Sequence, residues 1–205
     1  MNDVIERSFH AEMRAVQSDD EKNDDLIVEG YALKFGEETV IGKAPWGFIE
    51  SINRESMKTA EIDDVVFNLN HDDSMFYART KNKSLELTVD EKGLKIRAKI
   101  VNTNAGRDLY EMIKSGLITT MSFRAYVQKS KWTETVDEEM DKRDIVEFGR
   151  FFDVSAVTFA AYPQTEITAA RDISNADSDV KKHYDEKMYR NQIKELDKLM
   201  EDIYE

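Results

Sequence analysis

The sequence predicts a mainly β domain with peripheral helices, an α+β architecture that ends in an amphipathic helix. Three observations carry this. In "SLELTVDEKGLKIRAKI", Leu85, Leu87 and Val89 alternate with Glu86 and Thr88. After turn signals at 90–93, Leu94, Ile96, Ala98 and Ile100 alternate with Lys95, Arg97 and Lys99, as in an antiparallel hairpin with one solvated face. In "LITTMSFRAYVQ" the same period of two puts Leu117, Thr119, Met121, Phe123, Ala125 and Val127 on one face and Ser122 on the more polar other. Beyond residue 178, Val180, Tyr184, Met188, Ile193, Leu196, Met200 and Ile203 recur at helical spacing among charges.

The remaining elements follow in order. "VIERSFHAEMRAV" alternates weakly and gives way to the acidic stretch "QSDDEKNDD", which has no apolar area to bury and reads as a loop. "LIVEGYALKF" is rich in β-branched and aromatic residues and reads as a strand, with Gly30 marking a bulge or a close approach of backbones. Residues 37–48, with Pro45, read as an irregular loop, and "ESINRESMKTA" as a short helix capped by Ser51 or Asn53. "DDVVFNLNHDD" reads as a strand closing at His71. "NTNAGRDLYEMIKSG" has the marks of a capped helix: Thr103 or Asn104 at the start, Leu109, Met112 and Ile113 on one face, and Gly116 just past the end. A charged excursion precedes "IVEFGRFFDVSAVTFAAYP", a long strand region ending at Pro163. In the terminal helix the last apolar residues fall on a two-heptad seam, too short to be stable alone, so it must pack on something.

Composition limits the chemistry. A chain of 205 residues, 40% hydrophobic, suits one core with peripheral segments. With no cysteine there is no thiolate nucleophile, disulfide or Cys-based zinc site, and a reducing cytoplasm suits the chain. No apolar run approaches the roughly 20 residues that span a bilayer, so a soluble protein without membrane contact is expected. A net charge of −13 disfavours nucleic-acid binding and leaves protein as the expected partner. The three histidines lie in segments of different character, and the eight glycines form no phosphate loop, so no metal and no cofactor are expected.

A hydrolase without cysteine can use a serine, given a histidine to take its proton and a third group to orient the imidazole. His71, Ser122 and Asp153 all fall on predicted strands. Asp153 lies among Phe151, Phe152, Val154 and Val157, where a charge is costly without a partner. Spacing alone does not join the three: a histidine beside Asp72 and Asp73 also suits a surface turn, and a serine is tolerated in any strand.

The order of segments does join them. "EGYALKF", "FIESINRESMKTA", "VVFNLNHDD", "ARTKNKSLELTVDEKGLKIRAKI", "GRDLYEMIKSGLITTMSFRAYV" and "FFDVSAVTFAAYPQTEI" together resemble the prohead, or capsid maturation, serine proteases of tailed bacteriophages. The resemblance runs from about Glu29 to Ala170. It implies a fold similar to the herpesvirus maturational proteases, a Greek-key β-barrel ringed by helices. It also implies that His71, in the Asn-His-Asp motif, is the general base and Ser122, in Met-Ser-Phe, the nucleophile. The herpesvirus enzymes use a second histidine as third member, whereas His10 and His183 here lie outside the matched region, so a carboxylate must substitute. Asp153 is the choice and Glu147 the alternative; Asp72 and Asp73 point to different faces from an extended neighbour and orient its ring poorly. Backbone N–H groups near Ser122, or Arg124 on the same face, are candidates for the oxyanion.

The implied organisation is an N-terminal strand and acidic loop over 1–25, a serine protease barrel over 26–170, and a linker with the amphipathic helix over 171–205. Implied substrates are the major capsid protein, its scaffold portion and the enzyme itself, inside the immature capsid in the host cytoplasm, with contact between copies of the chain left open. The terminal helix is expected to serve as a tether, a removable tail, an oligomer contact, or a helix packed on its own barrel. Two rivals stand: a noncatalytic scaffold or assembly protein that keeps the protease fold, and a zinc or acid hydrolase built on Asp72 and Asp73.

Overall fold

The structure, a computed structural model, describes residues 3–9, 13–16, 25–43, 46–135, 140–159 and 178–204. Among the described residues it is mainly β with two α-helices, and the strands form one mixed and one antiparallel sheet.

The four-stranded sheet has the order β2–β3–β9–β8, with β2 Arg14–Val16, β3 Leu26–Lys34, β8 Leu85–Val89 and β9 Gly93–Ile100. The hairpin read from alternation is present in that register, with Leu85 opposite Ala98, Leu87 opposite Ile96 and Val89 opposite Leu94. Asp90 shapes its turn by accepting from the backbone N–H groups of Lys92 at 2.7 Å and Gly93 at 3.0 Å. Leu94, Ile96 and Ala98 are fully buried. On the polar face, Arg97 and Lys95 pair with Glu29 of β3. Gly30 is a close-approach site: a Cβ there would come within 2.9 Å of Met121 Sδ and 3.2 Å of Met13 Cα. Bare backbone at that point seats β3 against the residue next to Ser122.

The second sheet contains seven strands among the described residues. Its spine is the hairpin of β10 Thr120–Thr133 and β11 Asp141–Val157. On the outer side of β10 runs β1 Asp3–Phe9, antiparallel. Along the other side of β11, two strands pair in parallel: β5 Phe48–Ile52 beside Asp141 to Ile145, and β6 Val66–Leu69 beside Asp153 to Ala156. Short β4 Thr39–Ile41 edges β5, and β7 Phe76–Arg79 edges β6. Among the described strands hydrogen bonding leaves two open sheets and closes no barrel, so the mainly β fold is present while the Greek-key barrel expected from the resemblance is not seen there. One main core fills the space between them, with Phe67, Phe123, Phe148, Phe151, Leu33 and Ile96 fully buried.

The short helix of the 50s is a 3₁₀ turn, Arg54–Lys58, capped by Asn53 accepting from Glu55 N at 3.0 Å; Ser51 belongs to β5. Helix α1 spans Asn104–Lys114, with Thr103 as cap accepting from Gly106 N at 3.1 Å and Gly116 at φ +77° past its end. The loop expected over 37–48 contains β4, whose three residues are too few to show a period; Pro45 lies outside the described residues. So does Pro163, and β11 can be followed to Val157.

Helix α2, Ser178–Tyr204, packs its first turns on the far end of the β10–β11 hairpin. Val180 and Tyr184 join Phe48, Trp46 and Trp132 in a second small core. His183 stacks on Trp132 at 4.0 Å between centroids and shares Asp141 with Lys187. Asp141 is pushed up by burial, but Lys187 and His183 outweigh this and hold it below the usual carboxylate range. Further along, Leu196, Leu199 and Met200 are exposed, so the expected seam finds no cover among the described residues.

Candidate active site

The site lies where β10, β11 and the end of β6 meet. Ser122 and Arg124 share one face of β10 because side chains alternate, and Asp153 and Ser155 share a face of β11 for the same reason. The antiparallel register sets Ser122 opposite Ser155 and Arg124 opposite Asp153. The chain then leaves β6 through Asn70 and His71, both left-handed at φ +52° and +57°. Asparagine is at home in that region, whereas a histidine there needs support from its surroundings. The support is visible: Asn70 N donates to Ala156 O at 2.9 Å, Asn70 Oδ1 accepts from Thr158 N at 2.9 Å, and His71 N donates to Ser155 Oγ at 2.9 Å.

This turn throws the His71 ring back between the two strands. Its Nε2 stands 2.7 Å from Ser122 Oγ and its Nδ1 2.6 Å from Asp153 Oδ1. Asp153 is fully buried, and its other oxygen accepts from Arg124 Nε. A carboxylate only accepts, so Nδ1 carries the proton and the Nε2 of a neutral ring is left to accept from the serine. Glu6 of β1 lies 3.6 Å from Nε2 at the half-exposed rim. The Ser122 hydroxyl has a second acceptor within reach, the Arg7 carbonyl at 2.9 Å.

The structure therefore brings together Ser122, His71 and Asp153. Glu147 is elsewhere, accepting from Lys129 at 3.3 Å. The Arg124 guanidinium is turned to Asp153 and Asp73. Burial pulls Arg124 down, and the two carboxylates outweigh it and raise it above its usual value. Asp72 turns to Ser74, accepting from its N–H at 2.8 Å and its hydroxyl at 2.6 Å. Among the described residues no group of three His, Cys, Asp or Glu side chains is placed to hold a metal. Sequence reasoning missed Ser155, Asn70 and Arg7. The first was findable, two positions from Asp153 on the same face; Arg7 gave no signal.

A buried acid, an imidazole and a hydroxyl in line form the arrangement by which serine hydrolases make a hydroxyl nucleophilic. Residues 11–179 match the caudovirus prohead serine proteases, and the chain belongs to that family. In fold it is similar to the bacteriophage T4 capsid assembly protease, gp21, with a TM-score of 0.50 and 15% identity over 75% of this chain and 96% of that one. No curated protein sequence matches the chain.

Proposed function

We propose that the chain is a serine endopeptidase of phage capsid maturation that cuts the major capsid protein, its scaffold portion and itself inside the immature capsid. The observation that carries this is the unbroken line from Asp153 through His71 to Ser122, with contacts of 2.6 and 2.7 Å. Membership of the prohead serine proteases supports the substrate class in this reading. In this reading Ser122 Oγ attacks the scissile carbonyl while His71 Nε2 takes its proton. His71 then returns that proton to the leaving amine, and water resolves the ester by the same route. Asp153 holds the ring in the tautomer that can accept and stabilises the imidazolium that forms. Arg124 acts through Asp153 as a positioning residue, fixing the carboxylate from behind.

The protease unit in this proposal is 26–170, preceded by the 1–25 segment that carries β1 and followed by the linker and helix of 171–205. Intact-mass spectrometry of wild type and Ser122→Ala, alone and with the capsid protein, tests it. Discrete cleavage products are expected from wild type and none from the variant. Equal processing by both would remove Ser122 from the mechanism, and none by either, with no labelling of Ser122 by a serine-directed phosphonate, would favour the noncatalytic assembly role.

A further inference from the structure

Ser122 is 0% exposed, so a substrate cannot meet it while the chain stays as it is. The nearest cover is the chain's own β1. This strand lies antiparallel on β10 with Ser8 opposite Ser122, and the Arg7 carbonyl oxygen lies 2.9 Å from the nucleophile's hydroxyl oxygen. It falls before residue 11, where the family match begins. Extended peptides are commonly bound by adding a strand to a sheet edge, which fixes the backbone and leaves side-chain pockets to select sequence. The outer edge of β10 is such an edge, and β1 fills it with a carbonyl already at the serine.

The side chain belonging to that carbonyl has a made-to-measure receptor. Both Arg7 Nε and Nη2 donate to the Glu50 carboxylate, the second at 3.1 Å, a two-point contact that suits a guanidinium. Glu50 is 3% exposed. Burial pushes Glu50 up, but Arg7 and Arg143 more than offset this and keep it below the ordinary carboxylate range. On its far side Arg143 Nη1 donates to Glu50 at 3.0 Å, and Arg143 in turn pairs with Asp179 at 3.1 Å. Withdrawing Arg7 takes its two-point partner from the buried Glu50 carboxylate, in a site from which water is largely excluded, and a buried carboxylate favours another cation in that place.

We propose that β1 occupies the substrate's strand position on β10, and that Glu50 selects an arginine or lysine immediately N-terminal to the bond that is cut. The inference rests on the protease reading above and adds its specificity. The chemistry is unchanged: the carbon of the basic residue's carbonyl is esterified to Ser122, its bond to the next nitrogen breaks, that nitrogen takes the proton from His71, and water releases the acid. β1 must first swing away, so the same strand also keeps the enzyme quiet.

Two measurements separate this inference from the reading beneath it. Full-length wild type and Arg7→Ala are offered a peptide mixture and the cut sites mapped by mass spectrometry. Cuts after Arg and Lys at least tenfold over any other residue are expected, faster in Arg7→Ala because the internal strand has lost its anchor. Efficient cutting after acidic or apolar residues overturns the proposal and leaves the protease standing. The second measurement needs no catalysis: Ser122→Ala/Arg7→Ala protein is titrated with a fluorescent peptide of residues 2–10, NDVIERSFH, and with versions carrying Lys, Ala or Glu in place of its Arg. The Arg and Lys peptides are expected to bind at least tenfold tighter than the other two. Equal affinities overturn the proposal even if no cleavage is ever seen.

Discussion

Replacing Asp153 by asparagine tests the site in a way that depends on its neighbour. Of the two carboxylate oxygens, one faces His71 Nδ1 at 2.6 Å and the other faces Arg124 Nε. An asparagine has one acceptor and one donor end. Arg124 only donates, so it claims the amide oxygen and turns the NH₂ toward His71. The ring must then accept at Nδ1 and carry its proton on Nε2, where it cannot take the serine's. The fold loses little, since shape is kept and the Arg124 bond survives in neutral form. Catalysis is expected to fall by about 10³ to 10⁴, or about 4–5.5 kcal/mol of transition-state stabilisation. The rate of phosphonate labelling at Ser122, followed by mass spectrometry, reads this without a known substrate. Removing Arg124 as well frees the amide to flip, so Asp153→Asn/Arg124→Met is expected to recover roughly tenfold over the single variant, about 1.4 kcal/mol. A single variant within tenfold of wild type, or a double variant slower than the single, would refute this account of tautomer control.

Other perturbations have equally definite outcomes. In Gly93→Ala the new Cβ would sit 2.0 Å from the Leu33 carbonyl oxygen, so β3 and β9 must part; a loss of about 3 kcal/mol is expected by urea unfolding, and a loss under 1 would contradict the packing. Asn70→Ala removes a side chain suited to the left-handed region together with its bonds to Thr158, costing about 2 kcal/mol and slowing Ser122 labelling because His71 loses its footing. Asp141 has a depressed native value, so the docking of α2 is fully present above the ordinary carboxylate range near pH 4 and is lost as pH falls through the native value. Trp132 fluorescence, sensitive to the stacked His183, should report that release; Asp141→Asn should show the weakened docking already at neutral pH.

How far these features could be read from the sequence depended on their range. The β8–β9 hairpin and α1 were legible because each buries one face with a local period and carries its own turn or cap chemistry. Ser122 and Asp153 showed only as a serine on a polar face and an acid among phenylalanines, and the order of motifs joined them to His71. The left-handed turn that aims His71 had no signature beyond Asn70. Glu50, Arg143 and Arg7 carried no local signal, because their partners stand 43 and 93 positions away in the chain. Sheet closure was likewise invisible: it depends on which strand edges meet, and the alternation that predicts a strand does not specify its neighbour.

The pairing of β10 with β11 has a consequence for how such an enzyme can change. From Thr120 to Arg124 the strands run in perfect step, and all four slips in register fall between Arg124 and Ser130. Bulges bend and twist a hairpin, and here they fold the far arm round until Arg143, ten positions from Asp153, shares the Glu50 carboxylate with the same Arg7 whose carbonyl lies at Ser122. The slips also act as a clutch. Insertions or deletions beyond them can re-aim the Glu50 arm and the helix it carries, while the stepped segment keeps serine, histidine and acid in line. A lineage can thus alter what the protease recognises without relearning how to cut.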